Sequence, residues 1–247
     1  MALTALVVLI GAVALGGCGG GRSSLEVSAA ASLNRAFRLY GQRFHAALPR
    51  FSFAGSDALA AQIAHGVRPD VFASADTKLP DELFARQLVE RPVVFASNRL
   101  VLAVPERSPI HGLEDLAGRE VSIAVGTPTV PVGAYTQAVL GRLAPGLRAR
   151  IVSEIRDREP SVNGIVAKLS FGAVGAGFLY ATDVAAFPGA LRAITLPSSL
   201  QPSILYAAAI VRGSRHRAQA QAFIAGLLAG SGRVDLLRSG FLPPPRS

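Results

Sequence analysis

The chain has 247 residues, half of them apolar and 17% charged, with a formal net charge of +9. That balance excludes a disordered chain, which is poor in apolar residues and rich in charge, and allows one large domain or two of roughly 100 residues each. A single cysteine, Cys18, excludes a disulfide framework and a cysteine-based zinc site, and the histidines His45, His65, His111 and His216 are widely separated.

Residues 2–17, ALTALVVLIGAVALGG, are uncharged and apolar. The run is short for a bilayer span, which takes about 20 apolar residues, and suits the apolar region of a signal peptide. Leu15-Gly16-Gly17-Cys18 has the form of a lipobox: small residues admit a signal peptidase and the Cys18 thiol then carries a lipid. Residues 19–24 follow as a Gly/Ser-rich flexible tether. No Lys or Arg precedes the apolar run, which departs from the usual signal. The alternative is an ordinary buried helix. The lipobox reading places the mature chain outside the cytoplasm, anchored through Cys18 at the outer face of the cytoplasmic membrane or in the periplasm.

Beyond the tether, β-rich runs alternate with helical spacing. Strands are predicted at residues 25–28, 51–53, 71–73, 99–104, 121–125, 151–152, 177–180 and 205–211. Helices are predicted at 33–48, 59–63, 80–88, 114–116, 132–143, 162–169 and 217–228. Such alternation predicts α/β layers with mainly parallel sheets. In open sheets of this kind ligands bind beyond the carboxyl ends of the strands. Four helix starts fall there, near Ser32, Ser56, Val132 and Val162. Free N–H groups and the helix dipole make such starts anion sites.

The segments LEVSAAASLNRAF, FSFAGSDALAAQI, RPDVFASAD, VGTPTVPVGAY and FGAVGAGFLYATD, with SGFLPP near the end, resemble in order and spacing the molybdate-binding proteins of ABC importers. The resemblance covers about residues 25–245. It implies a two-lobed type II periplasmic-binding-protein fold, with the ligand cleft between lobes joined by two crossover strands. The crossovers are expected near Leu102–Val104 and Ala207–Ala209. Residues 25–103 and 209–247 would then form the first α/β lobe, and residues 104–208 the second.

The resemblance also implies the ligand set. Ser32 and Ser56 would donate from the first lobe through Oγ and backbone N–H. Val132 and Val162 would donate through backbone N–H, and Tyr180 through its phenol. Molybdate is a deprotonated tetrahedral dianion, so a good site offers donors and no inward acceptors. Asp57 would repel it and is expected to point away, stabilising the first turn of its own helix. The protein's donors would hold the anion's oxygens, so no metal-ligating side chain and no cofactor is implied. The implied partners are molybdate or tungstate, a membrane permease and its cytoplasmic ATPase. The chain is expected to be a monomer.

Taken residue by residue, the same features have plainer readings. A serine at a helix start is usually an N-cap. Asp70 and Asp76 suit a structural carboxylate and a helix cap better than an enzyme's acid pair. Arg142, Arg148, Arg150, Arg156 and Arg158 read as a solvated face and not a nucleic-acid surface, because no aromatic residues interleave. Three competing functions remain: a binding protein for sulfate or thiosulfate, a secreted α/β hydrolase, and a structural lipoprotein or adhesin, which would not need four helix starts converging on one cleft. The hydrolase lacks a G-x-S-x-G motif. The leading expectation is a non-enzymatic carrier.

Overall fold

The computed structural model describes residues 23–118 and 120–245. The chain opens with β1 (Ser24–Ala30), a 3-10 turn (Ala31–Leu33) and α1 (Asn34–Arg43). There follow β2 (Leu48–Ala54), α2 (Ser56–Ala64), β3 (Val71–Ser74), α3 (Lys78–Ala85) and β4 (Val93–Asn98). A second run holds β5 (Leu100–Pro105), α4 (Leu113–Gly118), β6 (Ile123–Gly126), α5 (Pro131–Gly141), α6 (Pro145–Ser153) and β7 (Ile155–Glu159). It continues through α7 (Val162–Ser170), β8 (Ala176–Tyr180), α8 (Ala181–Ala185) and β9 (Leu191–Thr195). The chain then returns through β10 (Ile204–Ile210), α9 (Arg217–Ala229) and α10 (Ser231–Arg238).

The strands form two five-stranded sheets, in the orders β2-β1-β3-β10-β4 and β7-β6-β8-β5-β9. In the first, β1 is parallel to β2 and β3, while β10 is antiparallel to β3 and β4. The second repeats the scheme: β6 is parallel to β7 and β8, and β5 is antiparallel to β8 and β9. Each sheet with its helices is one lobe of the two-lobed α/β fold. β1 shows why the residues choose this layer. Leu25, Val27 and Ala29 are fully covered, and only Glu26 of the central run is exposed. Small Ala29, Ala30 and Ala31 then let the backbone come close to whatever lies beyond the strand end.

The chain changes sheets at Arg99, between β4 and β5, and again between β9 and β10. Leu102–Val104 and Ala207–Ala209, expected on the crossovers, are interior strand residues instead. All of β5 belongs to the second sheet and all of β10 to the first. The resemblance placed crossovers there, but these runs are apolar because both faces of the strands are covered.

Three strands were not foreseen: β4, β7 and β9. Residues 155–159, IRDRE, alternate between half-covered and exposed and carry four charges, so no apolar run marks them. Ile151 and Val152 were read as a strand but end α6. Pro145 at the first position of that helix sets its start, and Ile151 is wholly buried on its inner side. Tertiary packing overrides the β preference of a branched pair.

Candidate functional site

Both lobes turn the carboxyl ends of their parallel strands toward a common cleft. Beyond β1 lies the 3-10 turn with Ser32, and beyond β2 lies α2, which starts at Ser56. From the other side come α5 behind Pro131, α7 behind Ser161, and the end of β8 at Tyr180. These segments line a small cavity in the cleft. Ser32, Ser56, Val132, Val162 and Tyr180 all line it, so the five sequence-predicted residues meet in one place. The rest of the wall is Ala30, Ala31, Ala54, Gly55, Ala75, Val130, Pro131 and Ser161. No charged side chain contributes to it.

Several polar groups in this wall are free to give protons. The first N–H groups of a helix have no partner within the helix, and the starts of α2, α5 and α7 all abut the cavity. Ser56, 1% exposed as a residue of the core, accepts the Ala75 N–H on its Oγ at 3.1 Å, which leaves its own proton free. Ser32 Oγ lies 2.9 Å from the hydroxyl of Tyr206. Tyr180 is 1% exposed, and its hydroxyl has no hydrogen-bond partner. Burial drives its phenol pKa well above the usual value, with the neighbouring Tyr206 and Tyr135 adding to the effect. Tyr180 is therefore a protonated donor without an acceptor. A buried orphan of this kind costs roughly 1–3 kcal/mol, a cost that an anion in the cavity would remove.

The carboxylates nearby are directed elsewhere. Asp57 Oδ1 accepts the Ala58 N–H at 2.8 Å in the first turn of α2, and its Oδ2 accepts from Thr129 Oγ1 at 2.7 Å. Asp70 accepts from the Glu26 N–H at 2.8 Å and the Ser214 hydroxyl at 2.6 Å. Asp76 accepts from Ser74 Oγ at 2.7 Å and the Leu79 N–H at 3.2 Å, at the start of α3. Asp183 is buried. Desolvation raises its carboxyl to about 7, opposed by the hydrogen bond from the Tyr180 N–H.

The residues 25–242 match the family described as bacterial extracellular solute-binding protein. The chain belongs to that family. It is a solute-binding protein of exported type, not an enzyme. Its sequence is 34% identical over 231 residues to the molybdate-binding protein ModA of Mycobacterium tuberculosis, spanning 91% of this chain and 86% of that one. The periplasmic molybdate-binding protein of Azotobacter vinelandii superposes with a TM-score of 0.80 at 22% identity, over 90% of this chain and all of that one. The sulfate-binding protein SubI of Mycobacterium tuberculosis superposes almost as well, with a TM-score of 0.79 at 15% identity, over 90% of this chain and 87% of that one. The last two show the fold alone, and that fold serves more than one anion.

Sequence reasoning missed Tyr206, whose hydroxyl touches Ser32. It sits inside the apolar run ILYAAAI of β10, where it reads as core. The expected lipid-bearing Cys18 lies outside the described residues. Among the described residues, no helix is long and apolar enough to cross a membrane.

Proposed function

We propose that this solute-binding protein takes up molybdate, and tungstate by the same chemistry, outside the cytoplasm. It delivers the anion to the permease of an ABC importer that a cytoplasmic ATPase drives. The observation that carries this reading is the uncharged cavity at the starts of three helices, with the buried Tyr180 hydroxyl still lacking an acceptor. A fully deprotonated tetrahedral dianion supplies acceptors on every side. Ser32, Ser56 and Tyr180 would bind it through side-chain hydroxyls, and Val132 and Val162 through backbone N–H groups. Charge is met by the positive ends of α2, α5 and α7, without a formal cation.

The 34% identity to a molybdate-binding protein supports molybdate over sulfate, since the sulfate-binding relative shares the fold at only 15% identity. The lobes correspond to residues 23–98 with 204–245, and 100–195, and the anion bridges them. A lipid on Cys18 would keep the loaded protein at the membrane, beside its permease. One chain supplies the whole cavity, which suits a monomer.

Thermal denaturation of the exported chain with a panel of oxyanions tests the reading. Molybdate and tungstate should raise the melting temperature and phosphate should not. A larger shift with sulfate than with molybdate would reassign the ligand.

A further inference from the structure

We propose that Tyr206 is a positioning residue that fixes the proton of Ser32 toward the cavity, and that Asn98 at the lobe crossover fixes Tyr206 in turn. The inference rests on the oxyanion reading above. It starts from an ambiguity: two hydroxyls 2.9 Å apart, Ser32 and Tyr206, can share a hydrogen bond in either direction. If Ser32 donates to Tyr206, its lone pairs face the cavity and repel an anion. If Tyr206 donates, the Ser32 proton is free for the ligand.

Burial decides between them: Tyr206 is fully covered, and among the described residues Ser32 Oγ is the acceptor its hydroxyl proton reaches. Asn98 supports the same direction. The Arg99 N–H donates to Asn98 Oδ1 at 2.9 Å, so the amide oxygen is occupied and the orientation of the side chain is set. Its Nδ2 donates to Thr182 Oγ1 at 2.9 Å, and its side chain acts on the Tyr206 phenol from the accepting side, favouring a negative charge on that oxygen. An amide nitrogen can only donate. If Ser32 donated to Tyr206, the buried phenol proton would be left without an acceptor, which is costly. Tyr206 therefore gives its proton to Ser32 Oγ, and Asn98 favours the accepting role of the phenol oxygen toward itself. Burial holds the phenol protonated, with the carboxylate of Asp183 acting in the same direction.

The result is a relay from the Arg99 backbone through Asn98 and Tyr206 to Ser32. Ser56 receives equivalent treatment from the Ala75 N–H. Both first-lobe hydroxyls are thereby committed to donate into the cavity. A ligand that carries its own proton finds no lone pair there, so the relay acts on selectivity as well as affinity. Asn98 belongs to β4 of the first lobe and Thr182 to α8 of the second. The residue that orients the relay thus also ties the lobes together.

The test is a set of calorimetric titrations at pH 6 with molybdate and with arsenate, which carries a proton at that pH. Wild type, Tyr206→Phe, Ser32→Ala and the double variant are compared, with unliganded melting curves to verify folding. Tyr206→Phe should weaken molybdate binding by about tenfold and narrow the preference for molybdate over arsenate. In the Ser32→Ala background the same change should cost nothing further, because the relay has no serine to orient. A purely structural role would lower affinity equally in both backgrounds and leave the preference unchanged; either outcome overturns the proposal. Should Tyr206→Phe fail to fold, Asn98→Leu leaves both hydroxyls in place and should narrow the preference in the same direction, and an unchanged preference there overturns it too. Failure of wild type to bind molybdate would overturn the oxyanion reading instead.

Discussion

Thr129 of the second lobe donates to Asp57 of the first across the cleft, Oγ1 to Oδ2 at 2.7 Å. The bond joins the approach to α5 with the first turn of α2, beside the cavity but not in its wall. It can form only when the lobes are together. Thr129 therefore biases the open–closed equilibrium without touching ligand.

Thr129→Val keeps the shape of the side chain and removes the bond. Because the bond is solvent-exposed, its net effect is at the low end of charge-assisted hydrogen bonds, about 1 kcal/mol. We expect molybdate dissociation to accelerate several-fold in stopped-flow measurements, with little change in association rate. An unchanged dissociation rate would show that Asp57 serves its own helix alone.

Tyr180 should show a conflict between stability and binding. Its hydroxyl is buried and finds no hydrogen-bond partner among the described residues. Tyr180→Phe deletes that orphan and keeps the ring, so the unliganded variant should melt at the wild-type temperature or above. Its affinity for molybdate should nevertheless fall, by about tenfold for one charge-assisted hydrogen bond. Loss of stability in parallel with affinity would mean that the phenol has a structural partner.

The arrangement of strand ends and helix starts could be read from the chain because it is local. Ser32, Ser56, Val132 and Val162 each follow a strand or a turn signal, and Pro131 marks its own helix start. The relay behind Ser32 could not be read in this way. Asn98 and Tyr206 are 108 positions apart, and only the antiparallel pairing of β4 with β10 brings them together. The crossovers were displaced for a related reason. Leu100–Pro105 reads as a strand by composition, but which sheet it joins depends on β8 and β9, far along the chain. β7 was missed because a charged edge strand carries little apolar signal.

Asp183 should make stability depend on pH. Burial raises its carboxyl from 3.8 to about 7 in the folded protein. Between those values the folded state holds a proton that the unfolded state has released. Stability therefore falls as pH rises across that window and levels off above it. Asp183→Asn removes the titration while its amide oxygen can still accept the Tyr180 N–H. Relative to wild type, the variant should lose less stability between pH 4.5 and 7.5, by on the order of 3 kcal/mol. Denaturant titrations at the two pH values decide it; equal losses in both proteins would show that Asp183 does not hold the proton.

The serines and Val132 separate side-chain donors from backbone donors. Ser56→Ala and Ser32→Ala each remove one hydroxyl directed at the anion. A hydrogen bond to a charged acceptor contributes roughly 1.5–3 kcal/mol, so affinity should drop about tenfold to a hundredfold. Val132→Ala trims a side chain but leaves the N–H in place, and its affinity should stay near wild type. Calorimetric titration of the folded variants is the measurement. Unchanged affinity in both serine variants would defeat this assignment of the site even in a protein that binds molybdate.

Gly55 offers a test of closure itself. It precedes α2 in the first lobe, and a Cβ placed there would collide with the carbonyl oxygen of Pro160 in the second. Gly133 is equally crowded, but its obstacles are the carbonyl oxygens of Thr127 and Gly126 in its own lobe. The two glycines should therefore fail differently. In Gly55→Ala the lobes can relieve the clash by staying apart, so the unliganded protein should melt close to wild type. Ligand contacts from both lobes can then no longer be made together, and molybdate affinity should fall by at least tenfold, about 1.4 kcal/mol. Gly133→Ala has no such escape, and its melting temperature should drop without ligand. Paired melting curves and titrations distinguish the cases. A Gly55→Ala variant that binds molybdate as tightly as wild type would show that the lobes do not need this close approach to hold the anion.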